Sequence, residues 1–151
     1  MIQNETNETD TFLRGTIAQE LDFYRITETV SQLAASEEGR ALLKQREAVS
    51  DKEQITKLKS LGREWSIYLN STRPAAIHGW PSVGTVFPLL GIDGAQLSQE
   101  QLFTLALFCT AAQTAKTLIE SAAEEFEIPN LNSIAQEMPS LKEAGDMIFS
   151  V

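Results

Sequence analysis

Few residues in this chain combine a reactive type with a spacing that would let them do chemistry. His78 is the only histidine and Cys109 the only cysteine. A zinc site needs about four N, S or O ligands at suitable spacing. Neither residue forms such a set with any acid, so His78 reads as a polar loop residue. Cys109 sits among Phe103, Leu105, Leu107 and Phe108 with no basic residue near it in sequence. It reads as a small buried hydrophobe, because nothing local would lower its thiol pKa. Glu120, Glu124, Glu125 and Glu127 are the acids from which an acid–base pair would be drawn. Nothing beside them suggests a raised pKa or a substrate pocket, and they read as solvated surface. No segment matches Gly-x-x-x-x-Gly-Lys-Ser/Thr, the phosphate cradle of nucleotide hydrolases. No catalytic, cofactor-binding or metal-binding residue is assigned, and the chain itself is expected not to be an enzyme.

Two tryptophans raise a stacking role on nucleic-acid bases. Trp65 keeps helical register with Leu58, Leu61 and Leu69, which predicts core packing. Trp80 is flanked by Gly79 and Pro81 in a loop. It is either a plug over a helical core or an interface anchor, and it is the one candidate interface residue.

Net charge is −9 and unevenly spread. Residues 1–73 hold ten basic residues against twelve acids, whereas residues 74–151 hold only Lys116 and Lys142 against nine. Duplex binding needs clustered Lys and Arg to displace condensed counterions, which the second half cannot supply. Lys52, Lys57, Lys59 and Arg63 form the strongest basic cluster, on a helix that also carries Asp51, Glu53 and Glu64. Mixed signs at helical spacing predict a solvated, salt-bridge-laced face there.

These residues sit on a pattern of helices. Residues 1–16 are expected to be a flexible tail and 17–151 a single helical domain. Ile26, Val30 and Leu33 step along one face of a first helix over about residues 17–35. Ser36 caps a second, about 37–46, in which Gly39 either admits a neighbouring helix or is merely tolerated. Ser50 and Glu53 form a capping box before a third, about 51–70. A proline-punctuated connection follows, then a short helix within Ser82–Leu90. Ser98 and Gln101 form a second capping box, with Leu97 and Leu102 as a hydrophobic staple, opening the longest helix at about 98–125. That helix is apolar on nearly every side from Leu102 to Cys109, so Leu105 is expected in the core. A short helix over Leu131–Met138 and a last one with Pro139 in its first turn complete the chain. No segment alternates convincingly enough for a strand. The fold class is all-α, an irregular bundle of about six to seven helices. No apolar run approaches the ~20 residues of a membrane span, no secretory signal opens the sequence, and one cysteine suits a reducing compartment. A cytoplasmic location without membrane contact is expected.

The order of these elements (Leu21-x-Phe23-x-x-Ile26, then Ala35-x-x-x-Gly39-x-x-Leu42-Leu43, then Ser50-Asp51-x-x-x-Ile55) resembles the amino-terminal segment of bacterial MutS paralogues. It is most similar to the second MutS family, which lacks the mismatch-reading domain and usually carries a carboxy-terminal Smr domain. The resemblance spans roughly residues 18–151 and continues through Leu97-Ser98-x-x-x-Leu102, Glu127-Ile128-Pro129 and Pro139-Ser140-Leu141. Between Ile77 and Leu90 the chain departs from the family's paired glycine and Asp-Ile-Arg-Pro-like run, reading His78-Gly79-Trp80-Pro81-Ser82-Val83.

The resemblance implies a noncatalytic scaffold segment of a DNA-binding ATPase. The parent would act in DNA mismatch repair, recombination suppression or ribosome rescue. Its ATP and Mg site, lever helices and any endonuclease would lie beyond Val151. The implied partners are the remainder of that polypeptide and, through it, DNA. The rival reading is a free-standing acidic helical protein-interaction module.

Overall fold

The computed structural model describes residues 16–71, 77 and 79–150. They are all-helical, with no strand among them. Contacts divide the chain into two units, residues 1–50 and 51–151. The expected tail falls outside the described residues apart from Thr16, which is helical.

In the first unit the expected continuous helix is broken. Residues 16–20 are helical, and the chain then turns at Leu21 and Asp22. Asp22 adopts the left-handed conformation at φ 55°, which a short polar side chain tolerates better than most. Its carbonyl accepts from Ile26 N at 3.0 Å, opening α1 (Phe23–Ser31). Three hydroxyls inside α1 turn back on the backbone: Thr27 to Tyr24 O, Thr29 to Arg25 O and Ser31 to Glu28 O. Such bonds compete with the helical ladder, and α1 ends at Ser31, short of the expected residue 35.

Ser36 caps α2 (Glu37–Lys44) as expected, its Oγ accepting from Gly39 N at 3.1 Å. The cap also accounts for Gly39. A Cβ there would meet Ser36 Oγ at 3.1 Å, so the glycine makes room for the cap. Glu37 and Glu38 in the first turn and Lys44 in the last complement the helix dipole. α1 packs on α2, and Lys44 pairs with Glu28 at 2.9 Å with both side chains about half exposed, a geometry worth under about 1 kcal/mol. The face expected to be buried is open instead. Ile26, Val30, Leu33 and Leu42 are 57, 44, 83 and 70% exposed.

The second unit holds α3 (Lys52–Leu69), α4 (Phe87–Leu90), α5 (Gln99–Glu125), α6 (Pro129–Glu137) and α7 (Lys142–Phe149). α3 starts one residue later than a Ser50 cap would place it. Asp51 is the N-cap, accepting from Gln54 N at 2.8 Å, where a carboxylate gains from the helix dipole as a hydroxyl does not. Ser98 and Gln101 form the expected reciprocal capping box before α5.

α6 and α7 both pack on α5, and α6 also packs on α3. The main core joins Tyr68, Ile119, Ala122, Ile128 and Ala135, flanked by Trp65, Ile77, Ala123, Phe126 and Leu131. α5 buries a thin stripe of Ala106, Cys109, Ala112, Ile119 and Ala122. Small residues there let α7 approach closely. A Cβ on buried Gly145 would lie 3.4 Å from Cys109 Cβ. Leu105 is only half-buried, because the close contacts run along that alanine stripe rather than all round the helix.

α5 is the longest helix among the described residues. By length and composition it is apolar enough to cross a bilayer, with mean hydropathy 1.4. Its buried stripe packs on α6 and α7, with 22% of the apolar window buried, and Gln113 and Lys116 near its middle bond to those same helices. α7 begins at Lys142 rather than with Pro139 in its first turn, for a reason that lies in Gln113.

Candidate functional site

α6 begins Pro129-Asn130-Leu131, and no side chain of its own caps it. Proline removes one donor from the first turn, but the remaining N–H groups still need acceptors. Glu64 of α3 provides them from sixty-seven residues away. Its Oε2 accepts from Leu131 N at 2.8 Å and its Oε1 from Asn130 Nδ2. Glu64 is 6% exposed. Burial works to raise its carboxyl pKa, but the bonds from the Asn130 side chain, Leu131 N and Asn130 N outweigh it and hold the group below the ordinary value. A carboxylate so held, and aligned with the positive end of a helix, is a poor proton donor near neutral pH.

The other end of α6 is treated with the opposite sign. Lys116 Nζ donates to Ala135 O at 2.6 Å and pairs with Glu120 at 3.0 Å. The Lys116 side chain is 14% exposed. α6 is thus held by an anion from α3 at its N-terminus and a cation from α5 near its C-terminus. α7 is opened in the same manner. Gln113 Oε1 accepts from Leu141 N at 2.9 Å and from Ser140 Oγ at 3.3 Å, which sets the helix start at Lys142. Three internal polar side chains therefore act as caps on neighbouring helices.

The residues singled out from sequence are not brought together with this cluster, Glu120 and Glu127 excepted. Glu120 pairs with Lys116, and Glu127 lines a groove of about 590 Å³ with Glu64, Phe126, Pro129 and Asn132. Glu124 and Glu125 make no ion pair among the described residues. His78 lies outside the described residues. Cys109 is buried, and burial pushes its thiol up, away from thiolate chemistry. Among the described residues no three His, Cys, Asp or Glu side chains are grouped as metal ligands. Trp65 stacks on Tyr68 with centroids 5.2 Å apart, beside the core.

Trp80 lies edge-on to Phe108 of α5 at 5.5 Å, and Phe87 meets the same ring at 5.2 Å. Trp80 Nε1 is buried without a hydrogen-bond partner. A buried unmet donor costs about 1–3 kcal/mol. Trp80→Phe keeps the ring contact and removes the donor, so thermal unfolding should show stability unchanged or raised; a loss above about 1 kcal/mol would mean the indole N–H is needed.

No family model, curated protein or solved structure matches the chain. Sequence reasoning missed Glu64, Gln113 and Lys116 as positioning groups, counting Glu64 with the solvated charges of α3. The available signal was their setting: Gln113 and Lys116, with Glu120, are the strongly polar interruptions in the most apolar helix, and Glu64 lies directly before Trp65.

The expected salt-bridge-laced face on α3 is also corrected. Glu64 is turned inward and Asp51 is used as a cap. Lys52, Lys57, Lys59 and Arg63 make no ion pair among the described residues. Gly62, mid-helix, has nothing within 4 Å of where a Cβ would stand. Gly62→Ala should stabilise the chain by about 1 kcal/mol through helix propensity. Chemical denaturation checks it, and a destabilised variant would reveal packing on that position.

Proposed function

We propose that this chain is a noncatalytic helical scaffold segment of a MutS-like DNA-acting ATPase, of the second, Smr-tailed kind. The observation that carries the scaffold part is the use made of internal polar groups. Glu64, Gln113 and Lys116 are each committed to backbone groups of α6 or α7, an arrangement that stiffens a helical assembly and leaves none of the three for substrate. The family part is supported by the sequence resemblance alone, from Leu21-x-Phe23-x-x-Ile26 through Leu97-Ser98-x-x-x-Leu102 and Glu127-Ile128-Pro129 to Pro139-Ser140-Leu141. In this reading the segment passes movement between lever helices and an ATPase elsewhere in the polypeptide, and DNA, ATP and Mg are bound by those other parts.

The noncatalytic part has a direct test. The purified chain should turn over ATP, and nick supercoiled DNA, no faster than a heat-inactivated control. Turnover abolished by a point substitution within these 151 residues would contradict it.

A further inference from the structure

On α3, Lys52, Lys59 and Arg63 follow one another at seven- and four-residue steps. At 3.6 residues per turn they form a single file about 16 Å long. Thr56, Ser66 and Asn70 continue the same side, and all six are exposed. No acid shares it: Glu64 is buried against α6, and Glu53 stands eleven residues before Glu64, on Glu64's side. Lys57, seven residues before Glu64, also belongs there. The three filed cations form no ion pair among the described residues, although the chain as a whole carries −9.

Beside the file is a groove of about 600 Å³ lined by Lys59, Gly62, Arg63, Ser66 and Ile67. Gly62 forms an open notch in it, and Ile67 is 42% exposed. A mid-helix glycine lowers helix stability by about 1 kcal/mol relative to Ala, and among the described residues nothing packed against Gly62 requires it.

We propose that this outer face of α3 docks an acidic amphipathic helix of a partner protein. Partner carboxylates meet Lys52, Lys59 and Arg63, and apolar partner side chains flank the file, one in the notch at Gly62 and one over Ile67. Charge complementarity selects this occupant: uncompensated cations in a strongly acidic chain call for discrete anions at helical spacing, and the notch beside them calls for a side chain. A DNA backbone instead rewards a broad cationic surface with many phosphate contacts, whereas this is one row on a chain whose residues 74–151 hold nine acids and two lysines. The inference does not depend on the MutS-like reading.

The test is fluorescence anisotropy with the intact chain and three labelled probes. The first is a designed helical peptide of about 18 residues with Glu spaced to match the three cations and Leu between them. The second is its Gln-for-Glu twin, and the third a duplex of about 20 base pairs. The acidic peptide should bind at least about tenfold more tightly than the twin. Lys59→Glu with Arg63→Glu should weaken it by at least about tenfold, and Gly62→Leu should weaken it comparably while circular dichroism shows the fold kept. Equal binding of both peptides, absence of binding, or unaltered binding by the variants overturns the proposal. Tighter, steeply salt-dependent binding of the duplex would overturn it in favour of a nucleic-acid surface. Self-association by sedimentation that the charge reversal abolishes would overturn it in favour of a second copy of this chain.

Discussion

Glu64→Ala should lower the unfolding free energy by about 2–4 kcal/mol at neutral pH, more than any other single polar substitution in the second unit. The change removes two charge-assisted hydrogen bonds and leaves the first turn of α6 without its acceptors. Glu64→Gln should also be costly, because its amide group turns a donor toward a site that offers only donors. The wild-type contribution has a defined pH window. The folded carboxyl lies below its ordinary value of 4.5, so the contribution is complete above that value and is lost as pH falls through the lower folded one. Urea denaturation across acid pH should therefore show wild type and Glu64→Gln converging as the medium becomes more acidic. A constant gap between them would mean that the Glu64 charge is not what caps α6.

The second large effect belongs to Ile128. It is 1% exposed, among the largest fully buried side chains, and stands at the N-cap of α6 beside the groove containing Glu64. Ile128→Ala should cost about 2–5 kcal/mol through lost burial and the cavity left behind. Leu105→Ala, at a half-buried position, should cost less than Ile128→Ala. The reverse order would put the core around the apolar first half of α5 rather than at the α3–α5–α6 junction. Because Ile128 and Glu64 both act on α6, the double variant should lose less than the sum of the two.

The all-α class and the longer helices were legible because their signals are local. Ser98 and Gln101 sit three residues apart, and Ser36 with Gly39 likewise, so each cap is written within one turn. The caps of α6 and α7 were not legible, since Glu64 and Leu131 are separated by 67 positions and Gln113 and Leu141 by 28. A glutamate among Lys and Arg at helical spacing looks solvated until the partner helix is in place. Asp22 was missed for a different reason: the apolar period runs through it, while its left-handed backbone and the back-bonded hydroxyls of Thr27, Thr29 and Ser31 break up and shorten the helix. Period alone also misassigned Ile26, Val30 and Leu33, which form a face that is left exposed. The loop setting of Trp80 is visible in sequence, but its contact with Phe108 is not, since it joins segments 28 positions apart.

The proposed scaffold role within a larger MutS-like ATPase makes a claim about the gene. The most direct measurement is the sequence of the native transcript through and past the codon for Val151. The expected result is an open reading frame that continues through lever-like helices into a Gly-x-x-x-x-Gly-Lys-Ser/Thr phosphate cradle. A stop codon directly after Val151 would contradict it and leave a free-standing acidic helical interaction module in its place.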